Sequence, residues 1–333
     1  MRALTVLVVS VVMLALAAPA GSTRFVIDDD EYDDKVAEAA GKLLHAGKLI
    51  ASDILRKQVR PKTFALSPVS QARQGLAAPD LCERLRESTL AVGAFYKCPD
   101  CGEWHFNSSA GFVVATNGIV STCCHVVLAR DEGVKEAYLI AADSDAHVFP
   151  VKSVLAADPD SDTCLLKIDA PPLKPLALRP GVRTGERVYC LSHPGGYHFM
   201  FTQGMVARLN RRPNDVYDED GKTNGLQTRP ILFLNVTAEF APGSSGAAIV
   251  DEAGNAVGQV ASIADAGEPR REDDNEPPSP SVPIRFCTAT EEILKLTDLS
   301  IVHSPRSPAH SPKAAAQHPP KPKSPAPKPV PGS

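Results

Sequence analysis

The sequence predicts a mainly β fold, an antiparallel barrel or sandwich, and three observations carry that expectation. From residue 90 onward, short β-rich runs alternate with turn signals: LAVGAFYK before CPDCGE, AGFVVA before TNG, AYLIAA before DSDAH, VFPVKSVLAA before DPDSD, and ERVYCLS before HPGG. Runs of this length, punctuated by Gly, Pro, Asn and Asp, are strands joined by tight turns. Helical periodicity, in contrast, is confined to the flanks of this region. Hydrophobic residues make up 43% of the 333 positions, so a sizeable core is within reach. The formal net charge of -4 excludes a typical nucleic-acid binder, because neutralising phosphates takes a basic surface.

The elements follow in order. Residues 1–20 read as a signal peptide: Arg2 supplies a positive start, residues 4–18 are uncharged and apolar, and Ala18-Pro19-Ala20 fits the small-x-small cleavage rule. Cleavage is expected before Gly21, and the chain is then exported to the periplasm, the cell envelope or the exterior. The apolar run is shorter than the ~20 residues of a membrane span, and an uncleaved N-terminal anchor is the alternative reading. Residues 21–87 form an acidic and helical extension. Its first part, 21–34, is expected to be mobile. Val36, Ala40, Leu43, Ile50 and Ile54 then recur at helical spacing and predict an amphipathic helix over 34–59, ended by Pro61. Asp80 and Glu83 form a capping-box pattern for a short helix through Arg86.

The β-rich region spans 88–299 and closes with the helical run TEEILKLTD. Two polar insertions interrupt its strands, at 211–225 and 265–281. The run DVYDEDG in the first lacks the ligand spacing of a calcium loop and reads as a solvated acidic loop. Residues 300–333 are dominated by Pro, Lys, Ser, Ala and His, and read as an extended, disordered tail. Its basic character can bring it to an envelope surface or an anionic polymer.

Eight cysteines in an exported chain raise the question of disulfides. Cys123, Cys124, Cys164, Cys190 and Cys287 sit in apolar runs and read as small buried core residues. Cys98 and Cys101 lie in a CPDCG turn, with His105 nearby. A structural zinc takes four protein ligands, a second CxxC is missing, and Cys82 would have to contribute. A local disulfide or paired thiols is therefore expected, and no metal or cofactor is assigned.

Three segments can supply serine-hydrolase chemistry. A neutral serine hydroxyl needs an imidazole to take its proton, a carboxylate to orient that imidazole, and backbone N–H groups aimed at the developing oxyanion. In AGFVVATNGIVSTCCHVV a strand, a TNG turn and a second strand lead to His125. In ADPDSDTCLLKID, Asp162 immediately precedes an apolar strand, whereas Asp158 and Asp160 read as solvated turn carboxylates. In FAPGSSGAAIV, Gly243 and Gly246 flank Ser245 and permit the sharp path that exposes it. The catalytic residues are thus His125, Asp162 and Ser245, with the N–H groups of Gly243 and Ser245 as the oxyanion hole.

The order His, Asp, Ser, with gaps of 37 and 83 residues, resembles the chymotrypsin/trypsin superfamily, and most of all its HtrA-type (Deg) branch. GFVVATNGIVSTCCHVV, DTCLLKI and PGSSGAA are similar to that branch's His, Asp and Ser motifs. VYCLSHPGGYHFMFTQGMVARLNR and VPIRFCTATEEILK resemble its later strands and closing helix. The resemblance covers about residues 88–298 and implies a two-barrel antiparallel trypsin-like fold. It departs at Ser244, where the family has Asn or Asp, so an Asp–N-terminus ion pair is not available. It departs again at Ala247, which replaces a Gly. No PDZ-like segment follows 299, and residues 25–87 do not match the family's trimer-forming segment, so the oligomeric state is not implied. The resemblance also places Glu239 and Phe240 in the wall of the primary specificity pocket. Glu239 there would favour Arg or Lys substrates, whereas Phe240 would fill the pocket and favour small aliphatic residues; the second reading is preferred.

The sequence therefore predicts a serine endopeptidase acting on protein or peptide substrates, with a role in protein quality control. The main rival is a catalytically weak, protease-like binding module tethered to the envelope. An esterase of the α/β-hydrolase type is disfavoured by the His-Asp-Ser order.

Overall fold

The computed structural model describes residues 24–67, 69–130, 133–217, 223–227, 229–265 and 282–297. The expected signal peptide, the expected tail and nearly all of the 265–281 insertion lie outside the described residues. Among the described residues, no helix is long and apolar enough to cross a membrane.

The strands close into two antiparallel barrels of six, the two-barrel antiparallel arrangement that the resemblance implies. The first contains β1 (Thr89–Lys97), β2 (Trp104–Ala115), β3 (Ile119–Thr122), β4 (Ala137–Ala142), β5 (Val148–Asp158) and β6 (Thr163–Ile168), in the spatial order β1-β2-β3-β6-β5-β4. The second contains β7 (Arg187–Ser192), β8 (Met200–Arg212), β11 (Ile231–Val236), β12 (Ala248–Val250), β13 (Ala256–Asp265) and β14 (Pro283–Ala289), in the order β11-β14-β13-β12-β7-β8. Closure leaves neither sheet with an open edge. The 211–225 insertion is not wholly irregular: β8 runs through Arg212, and β9 (Asp215–Tyr217) pairs with β10 (Thr223–Gln227) as a separate two-stranded ladder.

The first barrel is buried on both faces of its strands, and the alternation of side chains shows what covers each. Ala91, Phe95, Phe112, Val114, Ile140 and Leu165 pack with residues of the N-terminal extension and of the second barrel. Their neighbours of opposite parity, such as Leu90, Val92, Val113, Leu139 and Leu166, pack with Leu55, Cys124 and Val127. Successive strand residues point to opposite sides, so both sets are apolar only because both sides are covered.

The extension that supplies this cover differs from the single helix expected over 34–59. Helix α1 spans Asp29–His45, and a separate short helix α2 spans Ser52–Arg56. The start lies earlier because the Asp28 carboxylate caps it by accepting from the Glu31 N–H at 3.0 Å. Asp29, Asp30 and Glu31 fill the first turn, where the helix dipole favours negative charge. The stop comes from Gly47, at φ 64, with Lys48 N–H reaching Leu43 O and Gly47 N–H reaching Leu44 O. Helix α3 (Ala78–Arg86) also begins before the expected cap: Pro79 occupies its first turn, and Asp80 lies inside the helix.

Helix α1 is fastened by apolar and polar contacts together. Tyr32, Val36 and Ala40 are buried against the first barrel, and Tyr32 donates to Asp143 O at 2.9 Å. Asp33 meets His198 Nε2 at 2.9 Å, and Asp29 accepts from the His198 N–H at 2.8 Å. Because Val36 is fully buried, Val36→Ala leaves a cavity and lowers unfolding stability by roughly 1–3 kcal/mol. Urea denaturation of the whole chain checks this; an unchanged midpoint would mean that α1 does not pack there.

Candidate active site

Each segment singled out in the sequence ends at the junction of the two barrels. Strand β3 stops at Thr122, Cys123 takes the N-cap position, and α4 (Cys124–Leu128) carries His125 in its first turn. Strand β6 pairs with β3, Thr122 opposite Cys164, which brings the residue just before β6 beside that helix. That residue is Asp162, 2% exposed and at φ 53, a conformation that Asp tolerates better than most residues. Its two carboxylate oxygens both serve His125: one accepts from the His125 N–H at 2.9 Å, and the other lies 2.6 Å from Nδ1. The second contact fixes the ring and leaves Nε2 as the nitrogen able to take a proton.

Ser245 is attached to the same junction through its backbone. Its carbonyl accepts from the Ala110 N–H at 2.9 Å, and Ala110 O in turn accepts from the Thr122 hydroxyl at 2.7 Å. Gly246, at φ 89, has to be glycine here: a Cβ would lie 2.2 Å from Ala110 O and 2.5 Å from Thr122 Oγ1. Gly243, at φ 94, is pressed against His193 O in the same way.

The two adjacent serines have different surroundings. Ser244 is fully buried, its N–H bonded to Ala241 O at 3.0 Å and its hydroxyl facing the Ala241 N–H. Ser245 is half-buried and opens toward solvent. The N–H groups of Ser244, Gly246 and Ala247 are taken by Ala241 O, Val260 O and Ser244 O. Those of Gly243 and Ser245 have no acceptor among the described residues.

Glu239 and Phe240 part company. The Phe240 side chain is buried, 4% exposed, with the Arg285 guanidinium 5.9 Å from its ring. The Glu239 side chain is 79% exposed and lies 3.9 Å from Arg285 Nη2. The two neighbouring side chains thus face opposite ways, and the charged one stays in water, where it avoids the cost of burial.

The N-terminal extension also reaches the site, which sequence reasoning missed. Leu55 of α2 packs with Cys124 and Val126 of α4, and Arg56 donates to Ala129 O at 2.7 Å. Ala51, Asp53, Arg56, Tyr96, Asn107 and His125 all line one cavity of about 160 Å³. The spacing of Leu55 from the α1 pattern could have shown a second buried face, but nothing in the sequence names its partner.

The five core cysteines are buried, as their apolar settings predict, and burial pushes the thiols of Cys123, Cys124 and Cys287 well up. All eight cysteines are free, so Cys98 and Cys101 form no disulfide with each other. The N–H groups of Cys101 and Asp100, bonded to the Cys98 sulfur, hold its thiol below the usual range.

Burial opposes the protonated form of His125, but the Asp162 charge and hydrogen bond outweigh it and raise the pKa above the ordinary 6.5. In the folded state the protonated ring is thus favoured. Its contribution to stability is full below pH 6.5 and is lost as pH rises through the raised value. Chemistry that needs neutral His125 gains over the same interval. The acid limb of kcat/KM is accordingly expected above pH 6.5, and in Asp162→Asn it shifts to lower pH. A pH–rate series on both proteins checks this, and a limb left in place by the substitution would contradict it.

Residues 109–258 match the family model described as a trypsin-like peptidase domain. A "Probable periplasmic serine endoprotease DegP-like" of Pseudomonas fluorescens is 28% identical over 152 residues, covering 45% of this chain and 28% of that protein. A "Serine protease HTRA2, mitochondrial" of Drosophila pseudoobscura pseudoobscura is 28% identical over 154 residues, covering 46% of this chain and 33% of that protein. The chain thus spans about a third or less of the length of these curated relatives. Among solved structures, the active form of the Rv3671c protease from M. tuberculosis superposes with a TM-score of 0.48 at 20% identity, covering 74% of this chain and 96% of that one.

Proposed function

We propose, for a chain that carries a trypsin-like peptidase domain over residues 109–258, that it is an exported serine endopeptidase using Ser245, His125 and Asp162. The observation that carries this reading is the bond of 2.6 Å between His125 Nδ1 and Asp162, formed at the junction to which Ser245 is anchored through Ala110. In this reading His125 Nε2 takes the Ser245 hydroxyl proton as Oγ attacks the scissile carbonyl. The N–H groups of Gly243 and Ser245 receive the oxyanion. The tetrahedral intermediate collapses as His125 returns its proton to the leaving amine, forming an acyl-enzyme. Water, deprotonated by His125, then releases the acid and restores the serine.

The proposed substrates are protein segments able to lie extended across the junction, within a role in protein quality control. With Glu239 in solvent and Phe240 buried, the pocket wall supports small aliphatic residues at the cleaved position in preference to Arg or Lys. The basic segment at 303–333 is proposed to favour contact with an envelope surface or anionic polymer.

Peptide-library cleavage by purified variants tests the assignment. Ser245→Ala is expected to abolish hydrolysis, Ser244→Ala to keep most of it, and Asp162→Asn to lose about 10⁴-fold in turnover. Glu239→Gln should leave the cleavage profile unchanged. Full turnover by Ser245→Ala sinks the triad, and a collapse of Arg/Lys cleavage in Glu239→Gln sinks the aliphatic specificity.

A further inference from the structure

The turn between β1 and β2 gathers three soft donors that the proposed chemistry does not use. Cys98, Cys101 and His105 each offer one ligand atom, and these atoms all lie within 4.8 Å of one another. Cys101 Sγ is 3.1 Å from His105 Nε2. A zinc ion with bonds of about 2.3 Å to sulfur and about 2.0–2.1 Å to nitrogen holds tetrahedral ligands roughly 3.5–3.8 Å apart, so small side-chain shifts bring this set into range.

The backbone prepares the same arrangement. Cys98 N–H bonds to Glu103 O at 2.9 Å and Gly102 N–H to Cys98 O at 3.0 Å, closing the CPDCG segment into a tight knuckle. Gly102 adopts φ 76, which favours glycine. His105 reaches the knuckle because it sits in β2 directly opposite Tyr96, one residue beyond the Trp104–Lys97 pair that ends the ladder.

We propose that Cys98, Cys101 and His105 bind a single zinc ion that braces the β1–β2 hairpin. Two thiolates and one imidazole suit zinc and exclude hard cations such as calcium and magnesium. The fourth position is left to water, so the site is one protein ligand short of the closed four-ligand centre considered from the sequence, and Cys82 is not needed. Binding converts both thiols to thiolates and releases their protons to solvent. The brace has a structural consequence, because the strands it ties together carry Tyr96 and Asn107 into the wall of the cavity beside His125. The site itself does not rest on the protease reading.

The test uses the full chain, metal-free and with its thiols reduced, titrated with Co²⁺ and then Zn²⁺. One equivalent of Co²⁺ is expected to bind with a thiolate-to-cobalt charge-transfer band and tetrahedral d–d bands, all displaced by Zn²⁺. Zn²⁺ should also raise the melting temperature. Cys101→Ser and His105→Ala should each lose the tetrahedral spectrum and the Zn²⁺-dependent shift. Both positions are exposed, so folding, followed by circular dichroism, is retained. Cys82→Ser, in α3, should bind as the wild type does. A reduced chain that gives no thiolate band, or a spectrum unchanged in Cys101→Ser or in His105→Ala, overturns the assignment.

Discussion

Two closed barrels satisfy their own backbone groups and have few hydrogen bonds left for one another, so whatever holds them in register has to come from side chains and loops. Here those bonds gather at the residues next to the candidate catalytic groups. Ser121 donates to Gln259 at 2.7 Å, Cys123 to Val260 O at 3.2 Å, and Thr288 to Ser161 O at 3.2 Å, while Ser245 O takes the Ala110 N–H. Ser121 and Cys123 precede His125, and Ser161 precedes Asp162. Moving one barrel against the other would therefore displace every member of the site at once. These bonds are buried, and leaving either partner unpaired costs about 1–3 kcal/mol each, which ties domain packing to active-site geometry.

The same logic explains why the nucleophile loop is so constrained. Gly246 has barrel-one backbone pressed against it, and Gly243 has the loop that follows β7. That loop is in turn gripped by α1, where Asp33 and Asp29 meet His198, and it bonds to the nucleophile loop through Gly195 N–H to Pro242 O at 2.7 Å. His193, fully buried beside His198, has its pKa driven down to about 3 by burial and by that neighbouring ring. It therefore stays neutral at physiological pH. A chain of contacts thus runs from the N-terminal extension to the segment that presents Ser245.

How much of this the sequence revealed depends on the range of each interaction. Strand–turn alternation is local, so the β-rich region and its closing helix could be read directly. The segments around His125, Asp162 and Ser245 could be read as well, since each combines a strand with a short turn of restricted composition. The flanking glycines favour Ser245 over Ser244 as the nucleophile, and Ser244 is the fully buried one of the two. The early start of α1 was obscured because Asp28 to Glu31 look like a solvated acidic run until one of them is seen to cap. The orientation of Glu239 depends on a non-repeating loop, which no periodicity describes. The Asp33–His198 pair is separated by 165 positions and leaves no local pattern, whereas Cys98, Cys101 and His105 stand together in the sequence and only their approach depends on the hairpin.

On the proposed reading, the half-buried Ser245, and not the buried Ser244, is the hydroxyl activated by the His125–Asp162 pair. The most direct measurement is to react the intact chain with a fluorophosphonate probe and map the modified peptide by mass spectrometry. One adduct is expected, on Ser245, and it fails to form when His125 is replaced by Ala. An adduct on Ser244, or labelling of Ser245 that is indifferent to His125, would contradict it.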